Sequence, residues 1–201
     1  MQRGTCGYLG YEVPTWSQIY DYLLALAQKI RLSSFRPDVV VAISRGGLIP
    51  ARIMVDLLEA RQLATIQIEF YIGLGETKEQ PTLKQELALP VDGKRVLLVD
   101  DIADSGRSLQ YAVNYLCGQG ACEVKIATIY YKSCSIVEPD FYEKKTGCWV
   151  VFPWEAKETL RKVVCKQAGK RQQSQEVAKL VRSGLPEHLA LRLLKDIEEH
   201  T

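Results

Sequence analysis

Histidine is scarce in this chain, and so is the cysteine spacing that binds zinc. The only histidines, His188 and His200, lie near the C-terminus, and the six cysteines contain no C-x-x-C pair. That inventory argues against a zinc site, which draws Cys and His ligands from short, regular spacings. No apolar run approaches the roughly 20 residues that a membrane-spanning helix needs, so no membrane partner is expected. Met1 to Gly10 lacks a basic stretch followed by a hydrophobic one, so a secretory signal is not expected either. A cytoplasmic protein follows as the expectation, with Cys6, Cys117, Cys122, Cys134, Cys148 and Cys165 reduced and mostly buried. An excess of one charge sign is also lacking. Lys and Arg number 26 against 24 Asp and Glu, and the net charge of +2 is too mild to argue for nucleic acid, although it suits a small anionic substrate.

What is present is the composition of a globular protein, with 47% apolar and 25% charged residues over 201 positions. That length holds one well-buried α/β domain and an appendage. Apolar residues recur at helical spacing from Trp16 to Leu32, and Thr15 is placed to cap that helix. Asp38 to Ile43 is a continuous β-branched run, the pattern of a strand buried on both faces. Further strands are expected at Thr65–Ile72, Arg95–Val99, Glu123–Tyr131 and Cys148–Phe152, and helices at Leu48–Arg61 and Ser108–Gly118. Such alternation implies a mostly parallel, twisted sheet flanked by helices. Gly73 to Asp92 has no clear period and reads as a mobile lid. Beyond Glu155 the pattern is helical and polar. The expected organisation is therefore a domain over 1–157, with its lid at about 73–92, and a helical C-terminal extension over 158–201.

In open parallel sheets, ligands bind beyond the carboxyl ends of the strands. The most informative segment, Val96 to Leu109, is a buried strand that ends in Asp100 and Asp101, turns through Ile102-Ala103-Asp104-Ser105-Gly106-Arg107, and enters a helix at Ser108. Backbone N–H groups from Asp104 to Ser108 would converge at a helix N-terminus, where unpaired donors and partial positive charge favour a phosphate. Gly106 permits close approach, and the Ser105 and Ser108 hydroxyls add donors. The carboxylates of Asp100 and Asp101 can accept from vicinal ribose hydroxyls. Together these residues read a phosphorylated sugar.

This segment closely resembles the phosphoribosyl-diphosphate signature of type I phosphoribosyltransferases, with serine where many members have threonine. The resemblance implies that fold. It also implies that Asp100 and Asp101 contact the ribose directly or through Mg2+, and that Asp104 to Ser108 cradle the 5-phosphate. Ser44-Arg45-Gly46-Gly47 is similar to the family's diphosphate loop, which implies a non-proline cis peptide at Ser44–Arg45 and a leaving group held by amides and one arginine. Asp104 is by resemblance the general acid/base at the purine imidazole nitrogen. Lys132, Trp149 and Val150 resemble the base-recognition elements of the 6-oxopurine enzymes, particularly the xanthine-guanine group. They imply a donor to the 6-oxo oxygen, a ring that stacks on the purine and a backbone contact to the 2-substituent. Where purine-using members often begin the lid with Ser-Tyr, this chain has Phe70-Tyr71. The implied activity is transfer of phosphoribose from phosphoribosyl diphosphate to a 6-oxopurine, with Mg2+ as cofactor and a homodimer or higher homo-oligomer as the assembly. The resemblance covers roughly Glu12 to Lys157.

Two other functions use the same fold. A regulator could sense phosphoribosyl diphosphate and bind nucleic acid, and a transferase could act on a pyrimidine or another amine, leaving Lys132 and Trp149 without their roles. A dinucleotide site at Gly73-x-Gly75 is set aside, because Lys78 stands where the third glycine belongs and Pro81 follows.

Overall fold

A computed structural model describes residues 9–71, 80–166 and 170–200. Among them the elements in chain order are β1 (Tyr11–Glu12), α1 (Trp16–Leu32), β2 (Val39–Ser44), α2 (Leu48–Leu57), β3 (Leu63–Tyr71), β4 (Gln80–Gln85), β5 (Arg95–Ala103), α3 (Arg107–Gly118), β6 (Glu123–Tyr131), β7 (Phe141–Lys145), β8 (Trp149–Val150), α4 (Ala156–Lys166), α5 (Lys170–Arg182) and α6 (Glu187–Glu199). They fall into two units, one of Tyr20–Thr146 and one joining the chain up to Ile19 with Gly147–Thr201. The expected boundary at 157/158 lies inside α4.

The Tyr20–Thr146 unit holds a sheet of strand order β4-β3-β2-β5-β6-β7. Every pairing is parallel except β3 with β4. Val39 to Val41 in β2 and Val96 to Val99 in β5 are fully buried, which is why both read as unbroken apolar runs. Each such side chain contributes about 1.5–3 kcal/mol by leaving water. Asp38 and Arg95 lock the starts of these strands together. The Arg95 guanidinium donates to both Asp38 carboxylate oxygens at 3.1 and 3.0 Å, and the Arg95 N–H adds a bond of 2.9 Å. From β2 the chain moves outward to β3, whereas from β5 it moves the opposite way to β6, so the order reverses between β2 and β5. That reversal is where an open sheet leaves a crevice for a ligand.

Two strands of this sheet were not expected. Gln80–Gln85 pairs with β3 as an edge strand, a position that tolerates Pro81 because one side of an edge needs no ladder donor. Beyond it, the Leu87 N–H donates to the Tyr115 hydroxyl at 3.1 Å and Val91 is buried, so both positions pack against the body of the unit. The remainder of the expected lid, with Gly73 and Gly75, lies outside the described residues. Phe141–Lys145 forms the other edge strand; its FYEKK sequence is too polar to read as a strand alone.

In the other unit, β1 and β8 pair in parallel, with Tyr11 opposite Trp149 and Glu12 opposite Val150. Helices α4 to α6 enclose an apolar cluster of Val151, Leu160, Val163, Leu180, Leu185 and Ile197, against which Tyr11, Val13 and Trp149 also pack. At the start of α1, the Gln18 N–H donates to Thr15 Oγ1 at 3.2 Å and the Thr15 N–H to Gln18 Oε1 at 2.8 Å, the reciprocal cap that the position of Thr15 suggested.

The expectation of reduced cysteines holds for Cys117, Cys122, Cys148 and Cys165, which are thiols, and fails for Cys134, while the expectation of burial fails; Cys6 lies outside the described residues. Cys117, Cys122 and Cys165 are exposed thiols, and Cys134 is disulfide-bonded. Cys117 ends up on the surface because the buried side of α3 is taken by Leu109, Ala112 and Leu116.

Candidate active site

At the reversal between β2 and β5, the Ser44–Arg45 peptide is cis, as the resemblance implied. Gly46 and Gly47 follow and lead into α2, which has no side-chain cap. Neither glycine position has room for a side chain. A Cβ on Gly46 would lie 2.6 Å from Asp101 Cγ, and one on Gly47 would lie 2.8 Å from the Ile43 carbonyl oxygen. The loop therefore sits directly against the acid pair.

Strand β5 continues past Val99, where its apolar run ends, because Asp100, Ile102 and Ala103 still pair with Thr128, Tyr130 and Tyr131 of β6. Alternation along the strand buries Asp101 while Asp100 stays half-exposed, and Asp100 Oδ1 accepts the Asp101 N–H at 3.0 Å. Two adjacent carboxylates at a strand end suit a hard divalent cation that takes most of its ligands from water and substrate oxygens. Among the described residues no group of three or more His, Cys, Asp or Glu side chains could hold a metal unaided.

The turn from Asp104 to Gly106 then feeds α3. Gly106 has φ +76°, a left-handed conformation that favours glycine, and a Cβ there would lie 2.9 Å from the Val137 nitrogen. Neighbouring backbone holds the turn in place: the Ile136 N–H donates to the Ser105 carbonyl at 3.0 Å. Because Gly106 is the N-cap, α3 also lacks a side-chain cap, and its first amides and positive dipole end face the turn.

Lys132 follows β6, and its N–H donates to the Ala103 carbonyl at 3.0 Å. Its ammonium donates to Asp104 Oδ2 at 2.9 Å; the lysine side chain is 3% exposed and the aspartate 42%. Pairing is what makes so deeply buried a charge tolerable. A further contact was not legible in the sequence: the Arg107 guanidinium lies 4.8 Å from the centroid of the Phe70 ring, tying the start of α3 to β3.

Ser44 to Gly47, Asp100, Asp101, Asp104 to Ser108 and Lys132 thus belong to the Tyr20–Thr146 unit, where the Gly46–Asp101 and Asp104–Lys132 contacts join them. Trp149 and Val150 belong to the other unit. Trp149 is half-buried against the helical cluster, and the Lys162 ammonium lies 5.7 Å from its ring centroid.

A switch-point crevice edged by an acid pair and a helix start is the ligand-site arrangement of a doubly wound α/β fold. Residues 14–159 match the phosphoribosyl transferase domain, and the chain belongs to that family. Among curated relatives it is 33% identical over 153 residues to the xanthine-guanine phosphoribosyltransferase of Cereibacter sphaeroides, covering 73% of this chain and 87% of the relative. It is also 36% identical to the crystal structure of a purine phosphoribosyltransferase from Pyrococcus horikoshii, with a TM-score of 0.67 over 73% of this chain and 94% of that one. The xanthine-guanine-hypoxanthine phosphoribosyltransferase of Helicobacter pylori, 18% identical with a TM-score of 0.62 over 74% of this chain and 95% of its own, shares the fold.

Proposed function

We propose that this chain transfers the 5-phosphoribosyl group from phosphoribosyl diphosphate to a 6-oxopurine and releases diphosphate, a purine-salvage reaction. The observation that carries the reading is the Asp104–Lys132 pair, a cation and a carboxylate joined at 2.9 Å beside the phosphate turn. A 6-oxopurine presents an acceptor oxygen and an ionisable imidazole edge, which is what that pair can recognise. Relatives and a solved structure at 33–36% identity carry purine or xanthine-guanine names, which supports the same substrate class.

In the reaction, the bond from the anomeric carbon to the diphosphate oxygen breaks and a bond to a purine nitrogen forms. The leaving oxygen carries its electron pair away with the diphosphate, and the purine loses a proton. We assign that proton to the Asp104 carboxylate and the hydrogen bond to the 6-oxo oxygen to Lys132. Arg45 and the amides of Ser44 to Gly47 hold diphosphate, and the amides and hydroxyls from Asp104 to Ser108 hold the 5-phosphate. Asp100 and Asp101 would hold the ribose hydroxyls and a magnesium ion, which when bound would supply charge neutralisation for the diphosphate. The resemblance gives ring stacking to Trp149 and the 2-substituent to the Val150 backbone.

We also infer a homodimer. Tyr20 and Leu24 lie one turn apart on α1 and are each at least 40% exposed, an apolar pair that a second subunit would cover. A monomer in light scattering at working concentration would contradict it. A cytoplasmic setting accords with the proposed substrates, and among the described residues no helix is long and apolar enough to cross a membrane.

The substrate class is tested by parallel assays of single bases. Hypoxanthine, guanine, xanthine, adenine, uracil and orotate are offered singly with phosphoribosyl diphosphate and magnesium, and diphosphate release is followed. Release confined to 6-oxopurines supports the assignment of Lys132; release with uracil or orotate alone overturns it.

A further inference from the structure

A cavity of about 610 Å³ opens within the unit formed by β1, β8 and the C-terminal helices. Its origin is the pairing of β1 with β8. Tyr11 and Trp149 are register partners, so their side chains project from the same face of the two-stranded sheet, and α4 and α5 pass over that face. Space between helices and a sheet is ordinarily filled by aliphatic side chains at close-packed density. Here an open-sided cavity is left instead, and its solvent-facing rim carries Lys162 from α4 and Glu176, Lys179 and Arg182 from α5, the two lysines about half exposed. The last three recur every third residue, which keeps them on one side of the helix.

The charges of this rim do not cancel. Glu176 accepts from Lys179 at 2.6 Å and from the Tyr11 hydroxyl at 3.0 Å, and Lys162 pairs with Glu158 one turn back at 2.9 Å. The guanidinium of Arg182 makes no ion pair or hydrogen bond among the described residues. Burial and the neighbouring Glu176 push the Tyr11 pKa up to about 12, so its hydroxyl remains a protonated donor at neutral pH. The Lys179 ammonium holds Glu176 below the usual carboxylate range, so the acid stays ionised and committed to its two partners. What remains is an aromatic wall of Trp149 and Tyr11 and a cationic rim with one unmatched guanidinium. The volume falls in the range of small-molecule sites, about 300–1,000 Å³.

We propose that this cavity is a second ligand site, taking a planar aromatic phosphate of the size of a nucleoside mono- or diphosphate. The ring lies against Tyr11, and Arg182 and Lys162 take the phosphate. Guanidinium suits this task because its planar fork matches a phosphate bidentately. Family membership does not supply the site, since the matched region ends at residue 159 and Lys162, Glu176, Lys179 and Arg182 lie beyond it. The inference does not depend on which base the transferase uses.

The test is calorimetric titration of the full chain with adenosine 5′-diphosphate, without magnesium or phosphoribosyl diphosphate. Adenosine alone and inorganic diphosphate alone serve as half-ligands, and each is expected to bind more weakly than the whole. Arg182→Glu, and separately Lys162→Glu on the other helix, should weaken binding at least about tenfold, while Ser108→Ala in the 5-phosphate turn leaves it unchanged. Unaltered far-UV circular dichroism and melting temperature in at least one of the two charge variants tie the loss to the site. No binding up to about 1 mM overturns the proposal, since that limit corresponds to only about 4 kcal/mol. So does binding abolished by Ser108→Ala and retained by both charge variants, because the probe then occupies the phosphoribosyl site. Inorganic diphosphate binding as tightly as the nucleotide also overturns it.

Discussion

Lys132 and Asp104 stand 2.9 Å apart, the lysine buried and the aspartate open enough to meet a substrate. Because the carboxylate holds the ammonium, an incoming base finds donor and acceptor already oriented together, and the proposed proton acceptor is fixed by the same contact that positions the proposed oxygen donor. Replacing Lys132 by Ala removes a charged hydrogen bond worth about 1.5–3 kcal/mol. The expected result is a loss of kcat/KM for the 6-oxopurine of about 10- to 150-fold, with affinity for phosphoribosyl diphosphate unchanged. Full purine transfer by Lys132→Ala would remove the role assigned to this pair.

A methyl group at Gly46 has no space beside the Asp101 carboxylate. Since Asp101 is buried and backed by β6, the loop is the part that must yield, carrying Arg45 with it. Such overpacking costs about 1–3 kcal/mol. Gly46→Ala should therefore lower the melting temperature by about 2–12 °C and, by displacing Arg45, weaken phosphoribosyl diphosphate binding measured by calorimetry. Unchanged affinity would mean that the loop does not need its contact with the acid pair.

The bond between Asp38 and Arg95 gives a pH dependence. Hydrogen bonds from Arg95 lower the Asp38 pKa from its ordinary 3.8 to about 2. A carboxylate whose folded pKa is depressed stabilises the fold fully above its unfolded pKa and loses that contribution as pH falls through the folded one. The window is thus from about pH 4 down to about pH 2. Both side chains are about 40% exposed, so solvent screening keeps the effect small. Asp38→Asn should be slightly less stable than wild type at pH 7 and should converge with it near pH 2, as read from urea unfolding midpoints.

Leu180 on α5 is fully buried among Val151, Leu160 and Val163. Leu180→Ala should cost about 2–5 kcal/mol of the stability of that unit. A drop in the urea midpoint of that size would show that the helices beyond the family match form a packed core with β8. A change within error would mark the C-terminal helices as a loosely attached appendage.

The sequence made α1 and the phosphate turn legible because their signals are local. The apolar period from Trp16 to Leu32 and the Thr15 cap together define a helix that occupies those same residues. The order acid, acid, turn, hydroxyl, glycine, helix could be read without knowing the sheet. Elements that exist only through pairing were missed. The two residues of β1 are a strand because β8 lies beside them, and β4 because β3 offers an open edge. The apolar run of β5 stops at Val99, yet the ladder with β6 carries the strand through both acids to Ala103. α2 stops at Leu57, four residues short of expectation, where Glu59 adopts φ +53° and ends the helical run. The contact of Arg107 with Phe70, and of Tyr11 with Glu176, joins residues far apart in the chain and leaves no mark in either neighbourhood.

The most direct measurement is product analysis after incubating the full chain with phosphoribosyl diphosphate, magnesium and guanine, xanthine or hypoxanthine. Nucleoside 5′-monophosphate and diphosphate should appear in equal amounts, and Asp104→Asn should slow their formation by about 100- to 10,000-fold, the range for loss of a general acid/base. Tight binding of phosphoribosyl diphosphate with no nucleotide formed from any of these bases would contradict the account and leave a sensor in place of an enzyme.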